Sequence, residues 1–375
     1  MLNYCRTLSI NGVIMLNNLF YIMSPSVYNW FMYFFSLSDV VNCEIRCLKE
    51  DAYDIQNEMS YLEHNNCGFR DIYILSSHRS LKKDILFVQT LRENGYTVHC
   101  QTEHAASLGT DKIGFKQFLY NNNMPTPEWT SSGSSIYIDD SFVVKTSNST
   151  ETQGVNWYNK QGELAENEYC ERYTAGEEYS VNVFSKDNSN VIFPVVYKGR
   201  TSKDLMPPYK RIRYCGKHDK RLLAYIEQMQ TLSKQIATKV NNYGFMEVEF
   251  ILSDDGRLYI IEINPRISGT LRMSMLSTGK ASFDYLVTPI RDGVLDCINT
   301  VFEHPYQGKP YYDIDKNIFC TSRATLVANT QSELEDKVGI VSNLANNPID
   351  FSNFTPLYSH LFLGNCESQR LTPQK

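Results

Sequence analysis

Two apolar runs that carry acids and flank Asp254-Asp255-Gly256 constrain this chain more than anything else in it. The first reads Gly244-Phe245-Met246-Glu247-Val248-Glu249-Phe250; the second ends Glu262-Ile263-Asn264-Pro265-Arg266. Asp-Gly between β-type runs is a strong hairpin signal. With Asp255-Gly256 as the turn, paired positions sum to a constant. Glu249 then faces Glu262, and Glu247 faces Asn264. Glu262 and Asn264 are two apart and share a face. Directly paired side chains have Cβ atoms roughly 5 Å apart, and like charges there repel. A cation between the oxygens resolves the conflict. Hard oxygen donors on one face suit Mg²⁺, which keeps water and bridges to phosphates. Arg266 follows, where an anion can be held.

On this register Met246, Val248, Phe250 and Leu252 fill one face, with Tyr259, Ile261 and Ile263 across from them. The acids share the other face with Ile251, Leu258 and Ile260. An ordinary amphipathic hairpin would leave its acids in water. A face that mixes isoleucine with facing carboxylates is not a simple solvated surface, and this favours the metal reading.

The chain has 375 residues, 42% hydrophobic and 21% charged, which suits two or three packed units. A net charge of −6 with no long Lys/Arg run argues against non-specific nucleic-acid binding. The ten cysteines show no Cys-x-x-Cys spacing, so reduced thiols in a cytosolic protein are the expectation. Residues 13–36 are apolar but broken by Asn17, Asn18, Ser24, Pro25, Ser26 and Asn29. They fall short of a membrane helix and lack the form of a secretory signal, so no membrane association is expected.

Strands are expected at 19–23, 71–75 and 96–100, and a helix over 80–94 capped by Gly95. This alternation implies a small α/β unit with a parallel sheet over about 1–110. No G-x-G-x-x-G follows its first strand, which argues against a dinucleotide site. A helix is expected over 111–121, stopped before Pro125 and Pro127. Strands follow at 141–145, at 169–184 with a break at Ala175-Gly176, and at 191–197. Residues 220–240 carry the clearest helical period. Residues 296–375 read as a mixed tail without recognisable chemistry.

Lys112 at a helix start, Lys145 ending a strand, the acids Glu171 and Glu178, and the hairpin with Glu249, Glu262, Asn264 and Arg266 come in a specific order. That order resembles the ATP-grasp superfamily over roughly 111–290. The Asn-Pro-Arg ending looks like the branch containing carbamoyl phosphate synthetase, biotin carboxylase and amino-acid ligases. The resemblance implies a mixed α/β and α+β fold. A pre-ATP-grasp α/β domain (1–110) would precede an ATP-grasp domain of two α+β subdomains (111–295, lid about 125–190), with a C-terminal extension (296–375) packed on it.

The resemblance also implies residue roles. Glu249, Glu262 and Asn264 match positions that hold Mg²⁺, or Mn²⁺ in its place, on the ATP phosphates. Lys112 and Lys145 match the basic residues on those phosphates. Glu171-Arg172-Tyr173-Thr174 matches the hinge along the adenine, and Glu178 the carboxylate on the ribose hydroxyls. Arg266 matches the arginine that grips the carboxylate or acyl phosphate. Without the resemblance, Lys112 reads equally as a solvated charge and Glu171 and Glu178 read as exposed strand acids, whereas Lys145, ending an apolar strand, calls for an anion. Glu247 reads as a supporting or solvated acid, outside the ligand set. Lys198 and Arg200 suit a pocket or a surface turn. His218 and the other histidines show no ligand spacing. One departure stands out: the loop 146–154 carries hydroxyls and Glu151 where the family loop is glycine-rich.

The function implied is an ATP-dependent carboxylate–amine ligase acting through an acyl phosphate. Its substrates would be a small carboxylic acid and an amine. Phosphorylation of bicarbonate, an acyl phosphate as the product, and a non-catalytic nucleotide-binding regulatory subunit stay open. So does a homo-oligomer.

Overall fold

The computed structural model describes residues 2–6, 18–24, 27–28, 31–32, 43–50, 52–65, 69–131, 141–147, 155–158, 164–207, 210–216, 222–279, 283–313 and 315–346. The first sheet contains β1 (Leu2–Arg6), β2 (Asn18–Ile22), β3 (Cys43–Cys47), β4 (Asp71–Leu75) and β5 (Thr97–His99), in the order β1-β3-β2-β4-β5. All neighbours are parallel except β1, which runs antiparallel to β3, so the sheet is not wholly parallel as expected. Helices α1 (Ile55–Asn65) and α2 (Leu81–Glu93) cover one face through Met59, Leu62, Phe87 and Leu91. Gly95 takes φ +86° where the end of α2 requires it.

Helices α3 (Glu103–Thr110) and α4 (Lys112–Asn121) lead into a four-stranded antiparallel sheet. Its strands are β6 (Trp129–Ser131), β7 (Phe142–Thr146), β8 (Asn156–Trp157) and β9 (Glu168–Arg172), in the order β6-β9-β7-β8. The expected break at Ala175-Gly176 is real, and it separates two sheets. The chain enters the largest sheet at β10 (Gly176–Lys186) and adds β11 (Ser189–Ile192) and β12 (Val196–Arg200). One strand had been expected over 191–197. Pro194, which has no N–H to give a ladder, separates β11 from β12.

The sheet continues with β13 (Arg213–Cys215), then helix α5 (Leu223–Lys239), β14 (Gly244–Ser253) and β15 (Leu258–Asn264). After helices α6 (Leu271–Thr278) and α7 (Asp284–Val287) come β16 (Gly293–Val294), β17 (Val301–Pro305), β18 (Tyr311–Asp313), β19 (Ile318–Cys320), β20 (Arg323–Val327) and helix α8 (Gln331–Leu344). The main path is β15-β14-β10-β12-β13-β17-β20-β19-β18. Strands of the C-terminal tail therefore extend the same sheet.

Alternation along β10 and β14 decides the layers. Val181, Val183, Met246, Val248 and Phe250 pack with Met229 and Ile236 of α5 and Phe115 and Leu119 of α4. Ser180, Asn182, Glu247 and Glu249 point the other way. Helix α6 closes over Ser180 and Asn182 through Thr270 and Ser274. The second face of the first sheet, with Phe20, Ile22 and Leu75, joins a core with Ile267, Leu271 and Phe283. That packing brings the end of β4 to the mouth of the hairpin. No helix among the described residues is long and apolar enough to cross a membrane. Seven described cysteines are free thiols.

Candidate active site

Glu249 pairs with Glu262 and Glu247 with Asn264, as the sum rule requires. The route to that register differs from the expected one. Ser253 N–H donates to Arg257 O at 2.8 Å and Gly256 N–H to Ser253 O at 2.9 Å, so the turn is wider than Asp255-Gly256. Leu252 therefore pairs with Leu258 and Phe250 with Ile260, one residue off. Ile261 is the extra residue of a β-bulge, and it restores the register at the acids. The bulge also overturns the expected faces. Leu258 and Ile260 lie in the core with Val248, Phe250 and Ile263, not beside the acids. Ile261 lines the cleft next to Glu262 instead of the core.

The cleft has a cavity volume of ≈ 330 Å³. Every expected site residue lines it: Lys112, Lys145, Glu171, Arg172, Tyr173, Thr174, Glu178, Glu249, Glu262, Asn264 and Arg266. The hairpin acids lie within a net of protein cations. Lys112 Nζ, at the start of α4, is 3.0 Å from Glu262, and Lys198 Nζ is 2.6 Å from Glu249. Burial pushes Glu262 up, but Lys112 more than offsets it and holds the carboxyl at about 2. Glu249 goes the other way. Burial raises it to about 7; Lys198 opposes the rise, while Glu247 and Glu262 add to it. Asn264 donates Nδ2 to Glu247 at 3.2 Å and to Glu249 at 3.1 Å. Its Oδ1 accepts from Arg266 Nη2 at 2.9 Å. Pro265 is seated against α3, where a Cβ on Gly109 would fall 2.2 Å from Pro265 Cδ. Only glycine permits that approach.

Glu171 is buried rather than exposed, and it pairs with both Lys145 and Lys116. Burial raises its carboxyl, and the two ammonium groups outweigh that and bring it below the usual range. The Arg172 side chain is exposed, paired with Glu128 at 2.8 Å and lying 4.7 Å over Phe142. Arg172 N–H donates to Glu128 O at 2.8 Å and Tyr173 N–H to Ser141 O at 2.7 Å, which fixes this strand end. Glu178 binds Arg211 Nη1 at 2.7 Å.

Sequence reasoning missed or left open several of these groups. Lys116 lies one turn after Lys112, a helical spacing that signals a shared face. Glu247 is buried and accepts from Thr270 Oγ1. Lys198 sits where β12 bulges against β10, and Gly199 beside it has φ +94°. Lys-Gly inside a strand is the signal for such a bulge. Arg200 lies at the exposed end of β12 and pairs with Asp254. His78, in the loop after β4, is pushed down to about 4, by burial first and then by Arg266. His218 and the hydroxyl-rich segment 148–154 lie outside the described residues.

The family model of the ATP-grasp domain matches residues 109–270. A carbamoyl-phosphate synthase of Methanobrevibacter smithii is 27% identical over 202 residues, 49% of this chain and 53% of that protein. The chain thus spans about half the length of this curated relative. A biotin carboxylase from Campylobacter jejuni superposes with a TM-score of 0.66 at 11% identity, over 87% of this chain and 91% of the other. An L-amino acid ligase from Bacillus licheniformis gives 0.60 at 16%, over 88% and 97%.

Proposed function

We propose that this chain, whose residues 109–270 form an ATP-grasp domain, is an ATP-dependent ligase joining a small carboxylic acid to an amine. The observation that carries this reading is one cleft in which two facing glutamates and an asparagine lie among lysines and Arg266. The acid's carboxylate oxygen attacks the γ-phosphorus of ATP and ADP departs, leaving an acyl phosphate. The amine nitrogen then bonds to the acyl carbon, the bond to phosphate breaks, and the nitrogen's proton passes to the released phosphate or water. Catalysis of this kind is positioning and electrostatics, and no protein nucleophile is required.

The donor set fits a divalent cation. Glu249, Glu262 and Asn264 would hold Mg²⁺ or Mn²⁺ through hard oxygens, and the burial and, after it, the neighbouring acids that raise Glu249 are what such an ion offsets. No cage of three or more His, Cys, Asp or Glu side chains exists among the described residues. That suits Mg²⁺, which takes few protein ligands and completes its shell with phosphates and water. When bound, it supplies neutralisation of the phosphates.

Lys112 would exchange its carboxylate for a phosphate oxygen, and Lys145 would reach the same phosphates. Backbone along Glu171, Arg172, Tyr173 and Thr174 would read the adenine, with Glu178 on the ribose. Arg266 would grip the acyl phosphate. Buried free thiols suit a reducing compartment such as the cytoplasm.

The test is a screen of carboxylic acids against amines, read as ADP and phosphate release. Amine-dependent ADP formation supports the ligase. The likeness to a carbamoyl-phosphate synthase favours a second reading, bicarbonate phosphorylation. ADP formed with bicarbonate alone would install it. Tight binding of magnesium–nucleotide without turnover on any substrate would leave a nucleotide-binding subunit.

A further inference from the structure

Beyond β12 in the large sheet, three arginines converge on one buried carboxylate. Glu303 of β17 is fully buried and takes Arg213 Nη1 at 3.3 Å, Arg272 Nη2 and Arg323 Nε, with Thr325 Oγ1 at 2.9 Å. Three positive charges meet one negative charge. Of the other cleft cations, Lys112 has Glu262, Lys145 has Glu171, Lys198 has Glu249, Arg211 has Glu178 and Arg172 has Glu128, while Arg266 meets the neutral oxygens of Asn264 and Ile267. The Glu303 cluster keeps a surplus of cation.

Unsatisfied donors tell the same story. Arg213 Nε and Arg272 Nε are buried without a hydrogen-bond partner among the described residues. Burial brings even Arg323 down to about 10, with Glu303 opposing the fall and Arg213 adding to it. Buried charge without a partner is costly, and an anion supplied by a ligand removes the cost.

Arg213 alone of the three lines the cleft. A Cβ on Gly269 would lie 3.5 Å from its Nη1, so the guanidinium sits beside the turn that follows Arg266. Strands β12 and β10 separate β13 from β14. That is three strand spacings, or roughly 14 Å between backbones, before the side chains reach inward. A small molecule with two anionic ends can place one of them at Arg213 and the other toward the hairpin.

We propose that Arg213, backed by Glu303 and Arg272, binds a second carboxylate of the reactants, distinct from the one that is phosphorylated. A guanidinium fork recognises a carboxylate with two parallel hydrogen bonds. The carboxylate belongs either to the acid itself, as a dicarboxylate, or to the amine partner, as an amino acid. This inference rests on the ligase reading for the identity of the reactants, but its test does not need turnover.

Wild-type protein, Arg213→Ala and Arg213→Lys are each saturated with magnesium and a non-hydrolysable ATP analogue. Calorimetric titration then follows with malonate, succinate, L-aspartate, L-glutamate and glycine, and with propionate, butyrate and ethylamine as single-ended controls. Two-ended acids binding the wild type, at least tenfold more weakly in Arg213→Ala, place the carboxylate on the acid. Glycine alone showing that loss places it on the amine partner. Arg213→Lys keeps the charge without the fork and loses less. Circular dichroism and nucleotide affinity unchanged in both variants show that fold and ATP site are intact. Should Arg213→Ala not fold, Arg213→Lys against the wild type decides. Failure of every carboxylate to bind the wild type, or equal binding in wild type and variants, overturns the inference. Failure of the ligase reading shows separately, in the release assay, as wild-type protein that forms no ADP with any pair of acid and amine.

Discussion

Glu262 shows how much of the chemistry a single side chain can reveal. A carboxylate in an apolar strand opposite another carboxylate is a conflict visible in the sequence alone, and the structure shows Lys112 resolving it. On the proposed reading Glu262→Gln leaves the sheet intact, since glutamine fills the same space, and lowers ADP formation by about 10² or more. Full turnover with an unchanged circular dichroism spectrum would remove Glu262 from the site. Lys116 was not legible in the same way. A lysine on a helix is nearly always solvated, and only the buried Glu171 explains why this one is enclosed. Lys116→Met strips one of two ammonium groups from that carboxylate. We expect a loss of about 3 kcal/mol in urea unfolding, because a broken buried pair leaves charge uncompensated. Unchanged stability would show that Lys145 suffices. The same blindness hid Glu44 and Arg46, charged residues in a strand with no exposed position. Arg46 meets Glu58 at 2.9 Å there.

The hairpin element was legible in outline and misread in detail. Asp-Gly announced a turn, and the acids came out opposite one another, but through two offsets that cancel. Nothing in Tyr259-Ile260-Ile261-Glu262 marks a bulge, since no glycine or proline interrupts it. The side-chain period of two makes one extra residue decisive, because every position between turn and bulge changes face. Two adjacent isoleucines should therefore answer in opposite ways. Ile260→Ala opens the core beneath the sheet and costs about 2–5 kcal/mol of stability. On the proposed reading, Ile261→Ala changes stability little and weakens nucleotide binding by roughly tenfold, the worth of part of an isoleucine's apolar contact. Urea unfolding and nucleotide titration on both variants check this. If the two effects fall on the opposite residues, the bulge is misplaced and the cleft face with it.

At the scale of the molecule, one sheet runs from the acidic hairpin through β13 into the C-terminal tail, and the pairing of Arg213 with Glu303 joins the halves. This was the least legible feature. The pairing bridges ninety positions, and local pattern carries no information about which distant strands meet. The cluster around Glu303 ties β13, α6, β17 and β20 together, so it should register in global stability. Burial raises the Glu303 carboxyl, but Arg323, Arg272 and Arg213 overcome that and hold it far below the ordinary carboxylate range. A folded-state value below the unfolded one means the unfolded chain binds the proton first. The stabilisation is therefore complete above the ordinary glutamate value of about 4.3 and is lost as pH falls below it. Glu303→Gln leaves three arginines around a neutral amide. At pH 7 we expect it to cost about 3–5 kcal/mol, the loss typical of breaking a buried ion pair. Between pH 5 and pH 3 the gap between wild type and variant should narrow, because the wild type alone must protonate this site. Urea unfolding at pH 7, 5 and 3 measures it. A gap that stays constant over that range would mean that the arginines do not hold Glu303 ionised, and that β17 is fastened to the sheet by its backbone ladder alone.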